Sequence, residues 1–235
     1  MNKIAVITGA SRGIGKETAK ILAKNGFDLA LCSRSLNDLT QLKKEIESKY
    51  KVSVWIKSVD LTEKSEVIDF GKEVIAQYGF VDVLINNAGI FIPGKITEEV
   101  DGTFEKQMAL NLSSVYHLCR TIVPYMIKKK SGYVINICST ASFVPYINGG
   151  SYCISKFGAL GLTKCLREEL KEHHIKVTAI LPGATRTDSW DGTDLPISRF
   201  IDPKSVAKVI GDCIFSSNDI VHEEVIIRPQ LGDIV

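Results

Sequence analysis

No apolar run in this sequence approaches the roughly 18 residues that span a bilayer, and a strand-like segment begins almost at Met1. Neither a membrane anchor nor an export signal is expected. An excess of one charge is also missing: the formal net charge is +2 and the basic residues are scattered, which argues against a nucleic-acid or membrane surface as partner. The one basic run, Lys128 to Lys130, fits the end of a helix, where cations meet the negative end of the dipole. The six cysteines, Cys32, Cys119, Cys138, Cys153, Cys165 and Cys213, form no C-x-x-C pair and mostly sit in apolar stretches. They read as reduced, small core residues of a cytoplasmic protein, with no metal site. No linker divides the chain, and with 45% apolar residues it can bury one full core, so residues 1–235 are expected as a single domain.

What is present alternates between strand and helix. Lys3 to Thr8 is a short β-branched run suited to a buried parallel strand, and a helical pattern follows from Ile14 to Asn25. Asp28 to Cys32, Val52 to Ser58 and Val81 to Ile85 read as strands, separated by helices over Leu36 to Tyr50 and Ser65 to Tyr78, with Gly26 at a helix stop. One long helix is expected over Gly102 to Lys129, kinked by Pro124 near its end. Strands follow at Tyr133 to Cys138, Lys176 to Leu181 and Glu224 to Arg228. Between them lie a helix over Ser151 to His173 and one that starts at an Asp202 cap with Pro203 in its first position and runs to near Phe215. The pattern implies an α/β fold: a doubly wound, seven-stranded parallel sheet of Rossmann type with helices on both faces.

Between the first strand and helix, Gly9, Ser11, Arg12, Gly13, Ile14 and Gly15 belong to a glycine turn that ends in a helix N-terminus. Such a turn admits a pyrophosphate, because glycine lets the backbone approach closely and the helix amides attract the anion. At the end of the second strand an NAD-type fold places an acid for the ribose 2′-hydroxyl. Here Ser33 and Arg34 stand instead, and an arginine fits a 2′-phosphate, with Arg12 in reach of the same group. The cofactor expected is NADP(H), although Arg34 alone could equally be a surface charge. Further on, Tyr152 and Lys156 stand four residues apart on one helical face, and Ser139 ends the strand that precedes them. A hydroxyl, a phenol and an ammonium can converge on one carbonyl, with the ammonium drawing the tyrosine pKa down towards the range of general acid–base work. By itself such a pair is far more often a half-buried aromatic beside a solvated charge.

With these motifs in order, joined by Asp60-Leu61, Asn86-Asn87-Ala88-Gly89, Asn111 and Pro182-Gly183 followed by Thr187, the chain resembles the short-chain dehydrogenase/reductases, ketoacyl-carrier-protein reductases among them. The resemblance implies that Asp60 and Leu61 serve the adenine and that Asn86 to Gly89 line the adenosine side and steady the sheet. Thr187 would bind the nicotinamide carboxamide beside Pro182 and Gly183, and Lys156 would hold the nicotinamide ribose while tuning Tyr152. Asn111 would bind a water that continues the proton relay. It further implies hydride transfer to a small ketone or aldehyde, or the reverse on an alcohol, in a homodimer or homotetramer. That assembly would pair the two long helices, the second offering Leu160, Thr163, Leu166 and Leu170. A non-catalytic nucleotide sensor is the alternative from another class. Asn86 and Asn87 could be a plain turn signal, Asp60 a helix cap and Asn111 a surface amide. The stretch Ser142 to Tyr146 departs from the family by adding bulk, so a partly aromatic pocket is expected. Trp190, in the loop Asp188 to Phe200, is a candidate substrate cap.

Overall fold

The computed structural model describes residues 2–187 and 192–234. Its strands are β1 (Ile4–Thr8), β2 (Asp28–Ser33), β3 (Val54–Ser58), β4 (Val83–Asn86), β5 (Gly132–Ile137), β6 (Ile175–Pro182) and β7 (Glu224–Ile227). All pair in parallel, in the order β3-β2-β1-β4-β5-β6-β7. The order reverses between β1 and β4. In open α/β sheets ligands bind beyond the carboxyl ends of the strands at such a reversal.

The inner strands are largely apolar on both faces because helices cover both. In β1, Ala5 and Ile7 join a core with α1 (Gly13–Lys24), α2 (Leu36–Lys49) and α7 (Pro203–Phe215), through Leu22, Leu42 and Ile210. Val6 faces the other way, into a core with α3 (Lys64–Tyr78) and α5 (Ser114–Lys129) through Phe70, Leu118 and Ile122. α6 (Gly150–Leu170) adds Ala159 and Leu160 against Ala179 and Leu181 of β6. Asp202 caps α7 by accepting from the Lys204 amide at 2.9 Å, with Pro203 in the first turn, as expected.

The expected single helix over Gly102 to Lys129 is interrupted well before Pro124. α4 (Thr103–Met108) passes into a wide π-helical stretch, Ala109–Ser113, before α5 begins. The cause is Asn111. Its buried amide exchanges hydrogen bonds with the Ile90 backbone at 2.8 and 2.9 Å and donates to Ser155 on α6 at 2.9 Å. Three contacts outside the helix hold one residue out of α-helical register, the usual setting of a π-bulge. Pro124 is exposed, and α5 continues past it to Lys129.

Candidate active site

A cleft of about 920 Å³ runs along the carboxyl ends of β1, β2, β4, β5 and β6 and contains nearly every residue that the sequence singled out. At one end lie Gly9, Ser11, Arg12, Gly13 and Ile14, with Ser33, Arg34, Asp60 and Leu61 beyond them. In the middle are Asn87, Ala88 and Gly89. Ser139, Tyr152, Lys156, Pro182, Gly183 and Thr187 complete it. Gly15 and Asn111 support the walls rather than line them.

The glycine turn has the shape its residues require. Gly9 and Gly13 have φ of +63° and +55°, a region that L side chains rarely enter. A Cβ on Gly15 would stand 2.5 Å from the Asn87 amide nitrogen and from the Gly9 carbonyl. Asn87 holds the turn from β4, its side chain donating to Thr8 O at 2.9 Å and Gly9 O at 3.1 Å, while Thr8 Oγ1 accepts from the Asn87 and Ala88 amides. The α1 N-terminus behind the turn has neither a side-chain cap nor an acid in its first turn. Its uncapped amides and positive dipole end suit a pyrophosphate, and the residues present therefore fit a dinucleotide.

At the adenine end, Ser58 Oγ donates to Arg34 O at 2.9 Å and fixes that loop, and Arg34 is exposed. The Asp60 carboxylate accepts from the Thr62 amide at 2.9 Å and the Thr62 hydroxyl at 2.7 Å, which holds its pKa below the ordinary carboxylate value. Asp60 thus closes a local turn while lining the cleft. The phosphate end is more mixed than two arginines alone. Lys106 of α4 and Asp38 in the first turn of α2 also line it, one adding positive charge and the other an acid. No motif announced either residue, because α4 reaches the cleft only through the fold.

Asn86 departs from the expectation that it lines the adenosine side. It is 3% exposed, and its side chain donates to Asn136 Oδ1 at 2.8 Å, while Asn136 Nδ2 donates to Thr163 Oγ1 at 2.9 Å. This buried chain of amides ties β4 to β5 and α6. Steadying the sheet is the part of the expectation that the geometry carries.

At the far end, Ser139 opens a short turn, Thr140–Ser142, its hydroxyl accepting from the Ala141 amide at 3.1 Å while its own amide donates to Ser142 Oγ at 3.2 Å. Ser142 is therefore buried scaffold and does not add bulk to the pocket. Phe143 packs away from it too, under Arg228. The aromatic wall comes from Tyr146 and from Phe91, whose ring meets Tyr152 edge-on at 4.9 Å and Tyr146 at 6.3 Å. Ser139 lines the cleft beside the Tyr152 phenol, near enough for its hydroxyl to favour the phenolate. Burial nevertheless pushes the Tyr152 pKa up to about 12, with Ser139 acting the other way. The expected lowering by Lys156 is not found. Its Nζ lies 5.8 Å from the tyrosine ring centroid and donates to Ile137 O at 2.9 Å, so carbonyl and phenol do not share it equally. Lys156 is 5% exposed, and burial lowers its own pKa.

Thr187 lies over the glycine turn, its methyl 3.2 Å from where a Gly13 Cβ would be. The C-terminal segment, which carried no motif, closes the same end. Gly183 donates to Ile227 O at 2.7 Å, and Asp233 and Ile234 line the cleft, the former paired with Arg228. Trp190 lies outside the described residues.

A glycine-turned sheet reversal facing a serine, a tyrosine and a lysine defines a dinucleotide-binding oxidoreductase. The model of the short chain dehydrogenase family matches residues 3–195, and the chain belongs to that family. It is 31% identical over 219 residues to a 3-oxoacyl-[acyl-carrier-protein] reductase of Thermotoga maritima, covering 88% of each chain. Among solved structures it is similar to an alcohol dehydrogenase of the archaeon Thermococcus sibiricus complexed with 5-hydroxy-NADP. There the TM-score is 0.92 at 27% identity, over 99% of both chains. A metagenomic short-chain oxidoreductase in complex with NADP superposes with a TM-score of 0.86 at 31% identity, over 98% of both chains.

Proposed function

We propose that this protein is an NADPH-dependent reductase of ketone or aldehyde carbonyls. The observation that carries the reading is the convergence of Ser139, Tyr152 and Lys156 in one cleft with Arg12, Arg34 and Lys106. When bound, the cofactor supplies a hydride to the carbonyl carbon. The protein's part is to grip and protonate the oxygen. Ser139 and Tyr152 donate hydrogen bonds to it, and Tyr152 surrenders its proton as negative charge develops there. Burial keeps the phenol protonated through the neutral range, the state that carbonyl reduction needs of its proton donor. Lys156, held by Ile137 O and beside Gly89, would hold the nicotinamide ribose and steady the cofactor. Asn111 would hold the water that resupplies the proton, and with both side-chain N–H donors taken by Ile90 and Ser155 it would do so as an acceptor. Asp60, Leu61, Asn87, Ala88 and Gly89 take the adenosine, while Pro182, Gly183 and Thr187 take the nicotinamide side.

Assays of ketones, quinones, pterins and ketoacyl thioesters with each coenzyme test the reading. A hydrogen bond to a charged group contributes roughly 1.5 to 3 kcal/mol, and each 1.4 kcal/mol is about tenfold. Solvent and Asp38 reduce this, so the kcat/KM ratio should favour NADPH over NADH by about ten to a few hundredfold, less at high salt. Ser33→Asp with Arg34→Ala should reverse it, since the carboxylate repels a 2′-phosphate and accepts from ribose hydroxyls. A wild-type preference for NADH refutes the coenzyme assignment. No turnover across the panel refutes the activity and revives the sensor.

The same reading includes a symmetric homo-oligomer. Leu160, Thr163 and Leu170, expected at its interface, are buried within the subunit, and Leu166 packs on the core. The surface left for a partner on these helices is instead Tyr116 and Tyr125 of α5 with Ile154 and Phe157 of α6, all about 40% exposed (39–44%).

A further inference from the structure

The helix that carries Tyr152 and Lys156 is held at its start by a side chain from a distant part of the sequence. α6 has Gly149 at its N-cap and no side-chain cap of its own. Glu99, from the segment between β4 and α4, takes that place. Its Oε1 accepts from the Ser151 amide at 2.8 Å, and its Oε2 accepts from the Ser151 hydroxyl. Ser151 is 1% exposed. The approach depends on two glycines, because a Cβ on Gly150 would overlap Glu99 Oε1 and one on Gly94 would stand 2.6 Å from Glu99 Cγ. The segment is further tied to the helix start by the Gly94 amide, which donates to Asn148 O at 3.0 Å. A carboxylate at a helix N-terminus is also favoured by the dipole.

We propose that Glu99 is a positioning residue for the reaction: by clamping Ser151 it sets the place of Tyr152, the next residue, against Ser139. The inference rests on the reading of Tyr152 as proton donor. Ser139 and Tyr152 sit on separate elements, one on the turn after β5 and one in the first turn of α6. The Ser139 turn is fixed by its own capping bonds. The first turn of α6 is fixed by Glu99, whose segment also presses Phe91 against the Tyr152 ring. Loosening the clamp frees the phenol to move relative to its partner, and a misplacement of about 1 Å costs roughly a hundredfold in rate.

The test compares wild type with Glu99→Ala and Glu99→Gln. Glutamine keeps a carbonyl for the Ser151 amide, and its nitrogen can donate to the Ser151 hydroxyl. Four quantities are measured: kcat and KM for carbonyl reduction, NADPH affinity by cofactor fluorescence, and hydrogen exchange of amides 150–156. Glu99→Ala should lower kcat by about ten- to a hundredfold with NADPH affinity unchanged and faster exchange in the first turn of α6. Glu99→Gln should restore most of kcat and slow exchange again. Wild-type kcat in Glu99→Ala, a parallel loss of NADPH affinity, or a glutamine variant as impaired as the alanine one would each overturn the proposal. If the wild type reduces no carbonyl, the functional reading itself fails. The exchange data then stand alone, and unchanged exchange in Glu99→Ala overturns the clamp.

Discussion

Tyr152 shows how far residue identity carries the chemistry and where environment takes over. Its four-residue spacing from Lys156 places both in the cleft, yet spacing alone suggested a phenol drawn towards neutrality by the ammonium. Desolvation wins instead, because the charged form loses water in a pocket walled by Phe91 and Tyr146. The proton therefore stays on the phenol until the substrate oxygen takes it. Tyr152→Phe should fold and bind NADPH normally but lose at least about a hundredfold in kcat, the usual contribution of a general acid. Near-normal turnover in that variant would refute the assignment. Asn86 and Asp60 make a related point. Their residue types matched the family, but the side chain of one turns into the core and that of the other completes a turn. Orientation of a short polar side chain depends on partners far away in sequence, such as Asn136, and no local pattern reports them.

Among the elements, strand–helix alternation was legible because a parallel sheet demands apolar runs at strand length with helical periods between them. The strands fall within about two residues of their expected bounds. The π-helical stretch at Asn111 was not legible, since its cause is three bonds to Ile90 and Ser155. Nor could periodicity say which face of α6 meets its own subunit. Leu160, Thr163 and Leu170 satisfy a helical stripe equally well turned inward, and inward is where they lie. What remains outward is Ile154 and Phe157, with Tyr116 on neighbouring α5. If two copies pair across these helices, Phe157→Glu with Ile154→Glu should convert the assembly to monomers by light scattering, because two buried carboxylates would face their symmetry mates. Wild type that already scatters as a monomer at working concentration would exclude the pairing, and an oligomer untouched by the substitutions would move it to another face.

For the molecule as a whole, the close packing of both cores leaves several ionisable groups where their charged forms are disfavoured, and this sets its response to pH. Burial pushes Cys32 and Cys119 up to about 12 from an ordinary 9, and Tyr133 and Tyr152 up to about 12 from 10. Above pH 9 the unfolded chain releases the thiol protons that the folded chain keeps. The folded state then binds more protons, and stability falls as pH rises. Lys156 acts in the opposite sense. Its folded pKa lies below 10.5, so the stability linked to it is present above that value and is lost as pH falls through the lowered one. Between about 9 and 10.5 the two trends offset in part, and above 10.5 only the losses remain. Each fully linked group contributes a slope of about 1.4 kcal/mol per pH unit. The melting temperature should therefore decline modestly from pH 9 and steeply from about 10.5. Cys32→Ala with Cys119→Ala should flatten that slope by up to two protons' worth while lowering stability at pH 7 through the small cavities left. Calorimetry from pH 7 to 11.5 distinguishes the outcomes, and an alkaline slope that is the same with and without the two thiols would show that they do not remain protonated in the folded protein.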